Sequence, residues 1–134
     1  MIFAKYVKGE CQEKAGIKDG DIVVVDTDIK PAPPDKDHRH GDIAAVTIKG
    51  TESIKEYLGY SGRTCIVGTN YSDEYMKAHD RLWWWQDAHF IPATDIIGTV
   101  IACLNPDKSL KWEREARPAG GGEIHGDFEL IALP

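Results

Sequence analysis

Asp19-Gly20-Asp21-Ile22-Val23-Val24-Val25-Asp26 is the stretch from which the fold is read. Asp-Gly marks a turn. The run behind it is apolar and rich in side chains branched at Cβ, which are stiff and fit a pleated surface. No polar residue interrupts it, so Asp21 to Asp26 is expected to be a buried strand. A second Gly-Asp pair, Gly41-Asp42, opens a similar run from Ile43 to Ile48. Lys49-Gly50 is a turn, and Ser53 to Leu58 reads as the return strand of a hairpin. Thr64 to Gly68 and Ile96 to Leu104 read as a third pair of β segments.

The connections are read from their breakers. Ile29 to His40 holds Pro31, Pro33 and Pro34 among many charges. Proline blocks both helix and central strand, which predicts an exposed loop. Asn70 to Ala93 offers one or two helical turns at Asp73 to His79, then Trp83-Trp84-Trp85. Strand neighbours alternate faces, so three consecutive indoles cannot all enter one core; either one faces a partner or the segment packs locally. Gly120-Gly121-Gly122 is a joint ahead of Phe128 to Leu133, a candidate edge strand. Short strands at regular spacing with little helix predict a small, mostly β domain over 1–104, with a C-terminal extension over 105–134 packed on the same domain.

Composition narrows the function. The 134 residues carry 16 Lys and Arg against 22 Asp and Glu, a net charge of −6. Phosphate backbones attract the opposite balance, so direct nucleic-acid binding is not expected. Three cysteines, Cys11, Cys65 and Cys103, form no C-x-x-C pair. An odd, scattered count argues against a disulfide scaffold and for a reducing, cytoplasmic setting. Cys65 and Cys103 fall in apolar strands and read as core thiols. Met1 to Lys8 lacks the long apolar run of a signal peptide, and no stretch approaches the ~18 apolar residues of a membrane helix. Asp35, Asp37, His38, His40 and Asp42 gather metal-type side chains, but extended, proline-rich backbone makes them a solvated charged loop rather than a metal site. Glu113, Arg114, Glu115 and Arg117 likewise read as a solvated stretch.

Three segments stand in a telling order. Val7-Lys8-Gly9-Glu10-Cys11-Gln12-Glu13-Lys14-Ala15-Gly16-Ile17-Lys18-Asp19-Gly20-Asp21 comes first, then Gly41-Asp42-Ile43-Ala44-Ala45-Val46, then Ser53-Ile54-Lys55-Glu56-Tyr57-Leu58. Asn70-Tyr71 and Ile97-Gly98-Thr99-Val100-Ile101 follow downstream. Together they resemble the LexA/UmuD family of self-cleaving SOS peptidases, whose fold is shared in part with bacterial signal peptidase. The resemblance spans about Tyr6 to Leu104 and implies a LexA-like β domain. It puts the nucleophile position on Cys11 and the general-base position on Lys55, with no metal and no cofactor. It implies a peptide or protein segment as substrate and a homodimer, in which Trp83 to Trp85 or Phe128 to Leu133 contributes to the contact.

The chemistry suits the residue types. A nucleophile is inert until a base removes its proton. Lysine serves only when neutral, so it must lie among apolar groups. Ile54, Leu58, Val46 and Ile48 are the candidate walls. A nucleophile on a turn before a buried strand also finds backbone N–H groups facing the oxyanion. Two departures are visible. Cys11 stands where the family has Ser, and Gln12 where it has Met. A thiol beside an ordinary lysine would form a thiolate–ammonium pair, whereas a desolvated site favours both groups neutral. Only ten residues precede Cys11, without the family's Ala-Gly or Cys-Gly cleavage bond. Action in trans is therefore expected, or a piece of a longer protein. The alternatives are a catalytically silent partner-binding module and the regulatory half of a prophage-type repressor.

Overall fold

Why Ile43 to Val46 reads as an unbroken apolar run is visible in its packing. Ile43 and Ala45 enter a core with Val23, Val25, Val100 and Cys103. Ala44 and Val46 enter a second core with Tyr57, Cys65, Val67 and Ile91. A strand buried on both faces has no polar side to show. The computed structural model describes residues 1–34, 40–69, 73–78 and 88–116.

The protein is mostly β, as its sequence predicts. The strands are β1 (Ile2–Tyr6), β2 (Ile22–Asp26), β3 (Ile43–Ile48), β4 (Thr51–Ser61), β5 (Thr64–Gly68), β6 (His89–Pro92), β7 (Ile96–Leu104) and β8 (Leu110–Glu113). One short helix, α1 (Asp73–Ala78), follows β5. All pairings are antiparallel, in the order β1-β2-β7-β3-β4-β5-β6, and β8 pairs with β7. The β3–β4 hairpin turns at Lys49 and Gly50, with φ of 50° and 79°. Two consecutive residues at positive φ suit a turn whose twist matches that of the strands.

Several expectations change. β4 runs on to Ser61, past Leu58, because its second half takes β5 as partner. Thr64 to Gly68 and Ile96 to Leu104 do not pair with each other: β5 lies between β4 and β6, and β7 between β2 and β3. Over Asn105 to Ala116 the chain packs on the sheet: β8 pairs with the end of β7 and Trp112 enters the first core. Arg114 is not merely solvated. Its guanidinium grips both Asp42 carboxylate oxygens, at 2.9 and 2.6 Å. Pro31 is buried within the proline-rich loop, and the Ala32 amide donates to Asp42. Cys65 and Cys103 are buried thiols, as expected. Among the described residues no helix is long and apolar enough to cross a membrane. Asp35, Asp37, His38, Trp83 to Trp85, Gly120 to Gly122 and Phe128 to Leu133 lie outside the described residues.

Candidate active site

The chain from Val7 to Ile17 is a loop held at several points. The Val7 amide donates to Asp21 O, and Gly20 N donates to Val7 O, both at 2.8 Å. Gly9 N donates to the Asp19 carboxylate at 2.8 Å. Glu13–Ala15 makes one 3-10 turn that ends at Gly16, whose φ of 75° is the left-handed value a glycine adopts without strain. Ala15 and Ile17 then anchor the loop in the first core. Gln12, 1% exposed, donates its side-chain amide to Gly68 O at 3.0 Å. These contacts leave little freedom to Cys11.

Cys11 lies against β4. Its thiol donates to the carbonyl of Ile54 at 3.5 Å. That carbonyl belongs to the peptide unit joining Ile54 to Lys55, so the two candidate residues meet at one point of the fold. They meet at an edge: β5 pairs with β4 only from Glu56 onward, which leaves the flank of Thr51 to Lys55 without a strand partner among the described residues. Register separates the side chains by face. Ile54 is opposite Ala45, in the first core, whereas Lys55 is opposite Ala44, in the second. Val46 and Ile48 share the Lys55 face, and Ile54 the other. Lys55 is partly buried, and no hydrogen bond joins it to Cys11 among the described residues. The backbone N–H groups of Cys11 and Gln12 have no acceptor among the described residues.

A cleft of about 230 Å³ opens beside the thiol. Its floor is apolar, made by Val23, Val25, Ala45 and Ile97. One lip is β1, with Phe3 and Lys5; the other is β4, with Glu52 to Ile54. Lys5 and Glu52 form an ion pair that ties the lips together. Both lips are strand edges, and an edge offers unpaired backbone N–H and C=O groups to a further strand. Compared with protein-family models, curated proteins and solved structures, the chain matches none.

Neither the hydrogen bond of Gln12 to Gly68 nor the Lys5–Glu52 pair carried a signal in the sequence. Gln12 is a polar residue in a polar segment, and only its distant partner, Gly68, marks it as buried. Lys5 and Glu52 are ordinary surface charges until the sheet curls β1 toward β4.

The other two thiols are buried. Burial, with the negative charge of Asp21 adding to it, pushes the Cys103 thiol up to about 12 against the opposing pull of Lys111. Burial also raises Cys65. Both thiols are therefore protonated at neutral pH and make poor nucleophiles.

Proposed function

We propose that this chain is a LexA/UmuD-like peptidase domain acting in trans, with Cys11 as nucleophile and Lys55 as general base. An extended peptide segment enters between the lips of the cleft and pairs with a strand edge, as extended peptides do at other open sheets. The observation that carries this reading is the Cys11 thiol, beside an apolar cleft and against the very peptide unit that begins Lys55. In the reaction Lys55 takes the thiol proton as the sulfur bonds to the substrate carbonyl. The amides of Cys11 and Gln12 are suited to the oxyanion. Collapse breaks the C–N bond, the amine leaves with the proton from Lys55, and water releases the acyl group from Cys11. The reaction requires the amine at the end of lysine's long, flexible stem to come to the thiol around the free flank of β4.

The reading has a direct test. At pH 8, iodoacetamide is expected to label Cys11 in the folded chain while Cys65 and Cys103 label only after unfolding, as counted by mass spectrometry. Lys55→Ala is expected to shift the pH profile of Cys11 labelling. An unchanged profile removes Lys55 from the dyad. Cleavage of extended peptides that vanishes in both Cys11→Ala and Lys55→Ala would support the enzyme.

A second reading is favoured by one observation: the thiol's hydrogen bond goes to a backbone carbonyl and not to an amine. In that reading the cleft binds a peptide segment without cutting it. Cys11→Ser decides between them. A gain of cleavage on an extended Ala-Gly peptide supports the enzyme, whereas Ser and Cys versions that both bind and never cut support the silent module. The three free thiols suit a cytoplasmic setting. Homodimerisation is the remaining part of the proposal, and light scattering at high micromolar concentration tests it.

A further inference from the structure

A second cavity, of about 400 Å³, lies apart from the Cys11 cleft. It is walled by Ile29, Pro31, Tyr60, Ala93, Ile96 and Ile97. Its size falls within the range of small-molecule sites, ~300–1,000 Å³, and such sites pair apolar walls with a few placed polar groups. Two polar groups stand out here. Tyr57 is 3% exposed and lines the cavity. The partner of its hydroxyl is the Cys65 thiol, 4.0 Å away. Sulfur is a weak acceptor, and at that separation it leaves a buried phenol donor almost unspent. Lys30 is exposed at the rim and is the only charged residue lining the cavity among those described. It has no ion-pair partner among them.

We propose that this cavity binds a small monoanionic molecule with a flat or branched apolar body, whose inner end accepts a hydrogen bond from Tyr57 and whose carboxylate faces Lys30. The charge complementarity selects an anion. A cation would meet Lys30 with no carboxylate among the described lining residues to offset it, and a purely apolar guest would leave the Tyr57 hydroxyl with only the weak Cys65 sulfur as partner. The Tyr57 phenol, held above its ordinary pKa chiefly by burial, remains a donor at any physiological pH. This site is independent of the peptidase reading: neither Cys11 nor Lys55 lines it, and Ile97 alone is shared by the two cavities.

The test uses three rigid probes on the full chain, with dissociation constants read by titration calorimetry or ligand-detected NMR. 4-Acetylbenzoate has both an inner carbonyl and an outer carboxylate. 4-Ethylbenzoate lacks the carbonyl, and 4′-methylacetophenone lacks the carboxylate. 4-Acetylbenzoate is expected to bind with millimolar or better affinity, and each truncated probe about tenfold more weakly. Tyr57→Phe is expected to erase the advantage of the carbonyl, and Lys30→Ala that of the carboxylate. Equal binding of all three probes, no binding of 4-acetylbenzoate at ten millimolar or so, or a probe ranking unchanged in both variants overturns the proposal. The ranking on the unaltered chain decides even if a variant fails to fold.

Discussion

Asp21 and Asp42 each follow a glycine, open neighbouring runs of the sequence and do the same kind of work in different surroundings. Each carboxylate takes a loop amide: Lys18 N for Asp21 and Ala32 N for Asp42. Each also receives a cation from the end of the described chain. Lys111 reaches Asp21 at 2.5 Å, and Arg114 reaches Asp42 in a two-pronged grip. Asp21 is 2% exposed and has the Cys103 thiol as a further neighbour, at 3.9 Å. Asp42 is nearer solvent, and its partner is a planar fork matched to a carboxylate. The pair of motifs thus fastens β8 and the turn after it at two points. What differs is how dry each fastening is and how much its loss leaves stranded.

The glycines differ too, and they give the largest expected contrast. A Cβ on Gly41 would overlap the Tyr57 carbonyl oxygen, which belongs to backbone and cannot swing aside. A Cβ on Gly20 would meet only Pro106 at 3.8 Å, although φ is +88° there. Gly41→Ala is expected to cost upwards of about 3 kcal/mol or to prevent folding, and Gly20→Ala about 1 kcal/mol. Urea denaturation midpoints measure both, and equal losses would erase the contrast.

Removing the charges comes next. Asp21→Asn leaves Lys111 three-quarters buried without its counter-charge, for an expected loss of about 2–3 kcal/mol. Asp42→Asn keeps one acceptor for Arg114, which turns more readily to water, and about 1–2 kcal/mol is expected. Chemical denaturation of the two variants side by side sharpens the comparison. A larger loss at Asp42 would mean that the forked geometry outweighs burial.

The last effect is one of pH, and among the two fastenings it belongs to the Asp21 side alone. Cys103 has its pKa raised in the folded state, to about 12, while an unfolded thiol ionises near ~8.5. Between those values the native state holds a proton that the unfolded state has lost. The stabilisation is complete below the unfolded value and is lost as pH rises toward the folded one. Unfolding free energy is therefore expected to fall from about pH 8.5 upward. Cys65, raised by the same cause, adds to the slope. Cys103→Val is expected to flatten part of that slope and leave the Asp42–Arg114 fastening unaffected. A slope identical to that of the parent chain would show that the thiol does not titrate as its burial requires.

Edge strands show where reading by pattern fails. β2, β3 and β7 are apolar because neighbours cover them, so their sequence announces them. β1, β6 and β8 each bury at most one residue. Ile2-Phe3-Ala4-Lys5-Tyr6 and His89-Phe90-Ile91-Pro92 therefore show little periodic signal, and their strand state depends on the partner that each finds. The site divides in the same way. Cys11 and Lys55 are legible as residue types at a suggestive spacing. That the thiol meets the Ile54 carbonyl, while Lys55 turns to the other face of β4, depends on pairings with Ala44, Ala45 and Gly68.

By itself the sequence determined the β class, the two Gly-Asp strand openings, the β3–β4 hairpin and the core placement of Cys65 and Cys103. Each follows from short-range physics: a turn's φ requirements, stiff branched side chains, and the cost of exposing apolar runs. Only the tertiary structure decided which strands are neighbours, which carboxylates are dry and where the two cavities open. Lys111 and Asp21 are 90 positions apart and Arg114 and Asp42 are 72 apart. The energy of such contacts depends on burial and distance in space, quantities that exist only once the sheet has closed over its core.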